Sequence, residues 1–145
     1  MTKSNMKPAH ILLVEDNEGD IILTKEAFEE SEGEIELSVV KNGQEALDFL
    51  VKKGVYDSVH SPDLILLDIN IPVYNGHEVL RKIKSDPNLK KIPVIMLTTS
   101  SNQKDIDLAY DNHCNSYINK PLDLDDFFKA INSIKKFWLQ LATRA

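Results

Sequence analysis

The sequence predicts an α/β fold, a doubly wound five-stranded parallel sheet with five helices on its two faces. Three observations predict it. Short apolar runs alternate with longer helical patterns along almost the whole chain, and four of those runs stop abruptly at a charged or hydroxyl-bearing residue. Strands that alternate with helices are joined by right-handed crossovers, which build parallel sheets covered on both sides. Finally, 145 residues suffice for one hydrophobic core and leave no room for a second. A polar tail over 1–8 and a single folded domain over 9–145 are therefore expected.

The first run, Ile11 to Val14, ends in Glu15-Asp16, as a buried parallel strand does on reaching a loop. Glu18 to about Glu32 carries Ile21, Ile22, Leu23, Ala27 and Phe28 without an internal proline, and predicts a helix. Glu36 to Val40 is a short second strand. Asn42-Gly43 then supplies a turn before Ala46, Leu47, Phe49 and Leu50 mark the second helix. A loop from Gly54 to Asp63 leads into the third strand, Leu64 to Leu67, which terminates in Asp68.

Val79, Leu80 and Ile83 belong to a third helix, which must stop near Asp86-Pro87 because proline disfavours helical geometry in the residue before it. The fourth strand, Val94 to Leu97, ends in Thr98-Thr99-Ser100-Ser101. A more polar helix around Lys104 to Asn112 follows, then a strand over Ser116 to Asn119, then Lys120-Pro121. The last helix, from about Asp123, sets Leu124, Phe127, Ile131, Ile134, Phe137, Trp138 and Leu141 at helical spacing, with Asp125 and Asp126 at its positive end.

Composition excludes several classes of function. A net charge of −6 without a basic stripe opposes direct nucleic-acid binding. The longest apolar runs are far too short to span a bilayer, and no signal-peptide hydrophobic segment opens the chain, so the cytoplasm is the expected location. Cys114 is alone, which rules out an intramolecular disulfide and suits a small buried thiol.

In open parallel sheets the ligand site lies beyond the carboxyl ends of the strands, where strand order reverses. Glu15-Asp16, Asp68, Thr98 and Lys120 would meet there. Three carboxylates brought together repel, and a cation resolves the conflict. Oxygen ligands without clustered Cys or His favour a hard ion, and a site shared with a phosphoryl group favours magnesium over calcium. Phosphoryl transfer needs such positive charge around the moving group. A carboxylate can be its nucleophile. Asp68 would then accept the group, with Lys120 and Thr98 contacting its oxygens.

These residues carry a family resemblance. Val14-Glu15-Asp16-Asn17, Leu66-Leu67-Asp68-Ile69-Asn70-Ile71-Pro72, Gly76, Leu97-Thr98-Thr99-Ser100 and Tyr117-Ile118-Asn119-Lys120-Pro121 resemble, in order, the motifs of CheY-like receiver domains of two-component signalling. The resemblance covers nearly the whole chain and implies a flavodoxin-like strand order of 2-1-3-4-5, which CheY exemplifies. It implies a response regulator that takes a phosphoryl group on Asp68 from a phosphohistidine of a histidine kinase or phosphotransfer protein. Such a regulator catalyses only its own magnesium-dependent phosphorylation and dephosphorylation. Asp16 would bind Mg2+ directly, Glu15 through a water, and Asn70 through its backbone carbonyl. A cis Lys120-Pro121 peptide is implied, as are Thr98 and Tyr117 as the switch pair.

The Gly54-to-Asp63 loop, Asp20 and the Phe137-Trp138-Leu139 ending are similar to those of stand-alone regulators associated with phytochromes, so a phytochrome-like kinase is the expected upstream partner. With no effector domain in the sequence, the output would be binding to a downstream protein. Val73-Tyr74-Asn75 enlarges the loop facing Asp68 relative to the family. A magnesium-dependent phosphatase of the haloacid-dehalogenase type would need a second acid two residues after Asp68, where Asn70 stands. Asp20 reads as a solvated acid of the first helical turn, and His10, His60, His77 and His113 as structural or exposed. Phe128 and Leu139 fall off the apolar stripe of the last helix and offer a homodimer or partner surface.

Overall fold

The computed structural model describes residues 8–29 and 35–141. Five strands, β1 (Ala9–Val14), β2 (Ile35–Val40), β3 (Leu64–Leu67), β4 (Val94–Thr98) and β5 (Ser116–Asn119), alternate with five helices. The helices are α1 (Glu18–Glu29), α2 (Gly43–Leu50), α3 (Gly76–Ser85), α4 (Gln103–Asp111) and α5 (Leu124–Ile134). Every strand pairing is parallel, and the order across the sheet is β2-β1-β3-β4-β5. Strand order therefore reverses between β1 and β3, which opens a crevice at their carboxyl ends.

The continuous apolar runs of β1 and β3 follow from burial on both faces. Successive strand residues point to opposite sides. Leu12, Val14, Ile65, Leu67, Val94 and Met96 pack with Phe49 of α2 and Leu80 and Ile83 of α3. The alternate set, Ile11, Leu13, Leu64, Leu66, Ile95 and Leu97, packs with Phe28 of α1 and Phe127 and Ile131 of α5. Helix starts are fixed by side chains that accept from free backbone N–H groups: Asn42 before α2, Asn75 before α3, Asn102 before α4 and Asp123 before α5. At α3 the cap is reciprocal, because Glu78 also accepts from the Asn75 backbone.

The end of α5 departs from the expected stripe. The α-helix stops at Ile134, and Lys135–Leu141 continues as a π-helix. Each π-helical residue turns through a smaller angle than an α-helical one, so α spacing no longer identifies the buried face. Phe137, expected in the core, is 54% exposed and stands edge-on to Trp138, whereas Phe128 and Leu139 pack partly against the core. The expected continuation of the first helix beyond Glu29, the tail before Pro8 and the side chain of Leu141 lie outside the described residues. Among those residues no helix is long and apolar enough to cross a membrane.

Candidate functional site

β1 and β3 end in register, Val14 beside Leu67, so the next residues, Glu15 and Asp68, leave the sheet side by side. The ladder runs one step further: Asp68 N donates to Val14 O at 3.2 Å, and Glu15 N to Val40 O at 3.0 Å. Thr98 pairs with Asn119, and Lys120 N donates to Thr98 O at 2.7 Å. Backbone pairing alone thus delivers Glu15, Asp68, Thr98 and Lys120 to one edge.

The Lys120 ammonium stands at the centre. Its Nζ donates to Glu15, to Asp20 Oδ2 at 2.9 Å and to Asp68 Oδ2 at 3.3 Å. Asp20, read from sequence as a solvated acid, is instead a member of this cluster. It sits on the first turn of α1, where its N–H donates to Asn17 Oδ1 at 2.9 Å. No cis peptide occurs among the described residues, so Lys120-Pro121 is trans, against the expectation. Trans is the intrinsically preferred isomer, and Nζ reaches all three carboxylates without a cis turn.

Three carboxylates share one ammonium, so the cluster as a set of charged groups carries net negative charge. Burial pushes Glu15 up to about 7; hydrogen bonding and attraction from Lys120 oppose this, and the Asp68 charge reinforces it. Burial alone would lower Lys120, yet hydrogen bonds to Glu15 and Asp20, with the charges of Asp68 and Glu15, hold it above its ordinary range. Lys120 therefore stays charged. Glu15 is only 2% exposed, so burial disfavours its charged form while the Lys120 ammonium beside it opposes that.

Asp68 has a second feature. Its Oδ1 is buried without a hydrogen-bond partner among the described residues, which an ionised oxygen tolerates poorly unless a cation or donor faces it. Asp16 and Asn70 are exposed beside Glu15 and Asp68 in sequence. No three His, Cys, Asp or Glu side chains among the described residues form a metal-binding group. The donor set is therefore no closed cage. The charge deficit, the orphaned oxygen and the absence of soft ligands fit a hard divalent ion that keeps several waters and takes few carboxylates.

Thr98 is fully buried, and its Oγ1 accepts from Ser100 N at 3.3 Å. Tyr117 is half-buried and donates its hydroxyl to Ser100 O at 2.8 Å. One group escaped the sequence. His77 is buried on the first turn of α3, with Nε2 3.0 Å from Asp105 Oδ1 of α4, and Ser100 Oγ donates to Asp105 Oδ2 at 2.6 Å. These contacts join separate helices across 28 positions, so no local pattern announces them.

An acidic crevice around a buried lysine, at the reversal point of a 2-1-3-4-5 sheet, defines a signalling receiver. The chain belongs to the response regulator receiver domain family, whose match spans residues 11–132. It is similar to the response regulator Rcp1 of Synechocystis, 42% identical over 143 residues, covering 99% of this chain and 97% of that protein. The polar-differentiation response regulator DivK of Brucella anthropi is 36% identical over 126 residues, which are 87% of this chain and 95% of that one. Among solved structures, the phosphorylated cyanobacterial phytochrome response regulator RcpA superimposes with a TM-score of 0.92 at 46% identity, covering 95% of this chain and 99% of that one. The Mn2+-bound form of Rcp1 gives 0.91 at 43%, with 95% and 99% covered.

Proposed function

We propose that this response regulator accepts a phosphoryl group on Asp68 from the phosphohistidine of a histidine kinase, phytochrome-like, or of a phosphotransfer protein. The observation that carries it is the buried Asp68 carboxylate, with one oxygen on Lys120 and the other without a hydrogen-bond partner among the described residues. An Asp68 oxygen attacks phosphorus, the bond to the donor imidazole breaks, and that imidazole leaves with the electron pair. Lys120 pairs with a phosphoryl oxygen, and Thr98 donates its hydroxyl to another. Asp16, Asp68, the Asn70 carbonyl and, through a water, Glu15 would hold Mg2+, whose charge neutralises the transferring group; the Mn2+-bound relative supports a divalent ion here. The same residues support the chain's own dephosphorylation.

Thr98 moving to the phosphoryl group, with Tyr117 following, would alter the face around α4 and β5 that a downstream protein reads. The likeness to phytochrome response regulators supports the upstream assignment, and a cytoplasmic site of action accords with it. Mass spectrometry after exposure to acetyl phosphate tests the chemistry. One acid-labile phosphoryl group should appear only with magnesium and vanish in Asp68→Asn. Undiminished labelling of that variant would overturn the assignment.

A further inference from the structure

Ser100, two residues past Thr98, uses all of its polar groups. Its N–H donates to Thr98 Oγ1 at 3.3 Å and its hydroxyl to Asp105 Oδ2 at 2.6 Å. Its carbonyl accepts from Tyr117 Oη at 2.8 Å and Asn119 Nδ2 at 2.7 Å. The hydroxyl bond anchors the loop to α4. The other oxygen of Asp105 faces His77 Nε2 at 3.0 Å, which ties that anchor to α3, the helix whose first residue, Gly76, lies against the Asp68 backbone.

Proton placement follows from donor counting. An ionised Asp105 only accepts, so His77 Nε2 carries hydrogen. Hydrogen bonds from Ser100 and from His77 hold the Asp105 carboxyl below the usual carboxylate range, which keeps it ionised and able to accept from both. Ser100 N–H in turn occupies a lone pair of Thr98 Oγ1, so the hydroxyl proton of Thr98 points away from Ser100 and is free for another acceptor.

We propose that His77 and Asp105 are a positioning pair: by fixing Ser100 they aim the Thr98 hydroxyl toward the group that Asp68 carries, and so set how fast that group is gained. The inference rests on Asp68 as the phosphoacceptor. Neither His77 nor Asp105 touches the phosphoryl group. Their action passes through Ser100, and loss of either should slow phosphoryl uptake without altering the magnesium requirement.

The experiment measures the rate of Asp68 labelling by acetyl phosphate at saturating magnesium, and the magnesium concentration giving half the maximal rate. His77→Phe fills the ring volume but donates nothing, whereas His77→Gln restores an N–H. We expect His77→Phe to be slower by about threefold to tenfold, the factor that one ordinary hydrogen bond commands, and His77→Gln to recover most of it. Asp105→Ala removes the acceptor of both Ser100 and His77, so it should be slowed at least as much as His77→Phe, and the His77→Phe/Asp105→Ala double variant should be no slower than Asp105→Ala alone. The half-maximal magnesium concentration should match wild type in all of them. Equal rates for wild type and His77→Phe, a His77→Gln variant as slow as His77→Phe, or additive losses in the double variant would each overturn the pairing in favour of packing. A wild type that gains no label on Asp68 is a different result: it removes the phosphoacceptor assignment itself, and the pairing falls with it.

Discussion

Gly76→Ala is the substitution for which chain propensity and site packing demand opposite outcomes. Within a helix, alanine is favoured over glycine by about 1 kcal/mol, so on propensity alone the change should stabilise α3. Here a Cβ would lie 2.3 Å from Asp68 O and 2.7 Å from Ile69 Cα, where ordinary contact begins at 3.4 Å. Both neighbours are backbone. The start of α3 or the β3 end must therefore retreat by roughly 1 Å, stretching the Gly76 N to Ile69 O bond of 2.8 Å. Overpacking of this kind destabilises by about 1–3 kcal/mol, which exceeds the propensity gain. Urea titration followed through the single tryptophan, Trp138, reads the result. With the propensity gain subtracted, a net loss of about 1 kcal/mol against a slope of about 2 kcal/mol per molar urea should lower the midpoint by roughly 0.5 M. Gly19→Ala is the control, since its Cβ would meet only the Asn17 side chain at 3.3 Å, and it should stabilise by about 0.5–1 kcal/mol. A Gly76→Ala protein as stable as wild type would refute the steric account.

Two further outcomes follow from the same edge of the sheet. Glu15, raised from 4.5 to about 7, binds its proton more tightly folded than unfolded. Its contribution is fully present below pH 4.5 and lost as pH rises through 7, so metal-free protein should lose up to about 3 kcal/mol relative to Glu15→Gln across that window. Denaturant titrations of both proteins at several pH values check this, and a difference that stays flat or grows with pH counts against it. Val73 is a β-branched residue at φ 73°, 70% exposed, in the loop that precedes α3. Val73→Gly should remove that backbone strain and raise the urea-derived stability by about 1 kcal/mol, a gain that a positive φ maintained at no energetic penalty would not produce.

What was legible in the sequence is what neighbouring residues decide. A strand buried on both faces reads as a continuous apolar run, so the change from apolar to charged or hydroxyl residues at Val14-Glu15, Leu67-Asp68 and Leu97-Thr98 marks the carboxyl ends of the strands, although all three polar side chains are themselves buried. Proline at 87 marks the stop of α3, and Asp86 is indeed extended. The strand order came with the family resemblance. The last helix shows where periodicity stops informing: α spacing assigns Phe137 to the core, but the π-helix over Lys135–Leu141 leaves Phe137 exposed and packs Leu139 partly against the core. That switch depends on how the segment seats against the core, which its own spacing does not encode.

Within the site the same boundary separates Asp68 from Asp20. Asp68 continues a strand, and its place is fixed by pairing with β1. Asp20 belongs to a helix, so whether it faces solvent or the crevice depends on the rotation of α1 over the sheet, which Ile21, Thr24 and Phe28 set by their burial. That rotation brings Asp20 to Lys120 across 100 positions and changes the charge balance. Glu15 and Asp68 alone would be half neutralised by Lys120; with Asp20 the ammonium is shared three ways. Burial is the main reason Glu15 is raised, the nearby Asp68 charge adds to it, and Asp68 Oδ1 has no hydrogen-bond partner among the described residues, so negative charge is held in one buried place with a single ammonium against it. On the proposed function, a divalent cation held by Asp16 and Asp68 would offset part of that negative charge and would weaken the attraction between Asp68 and Lys120. The amine would then be available to a phosphoryl oxygen as that group brings new negative charge.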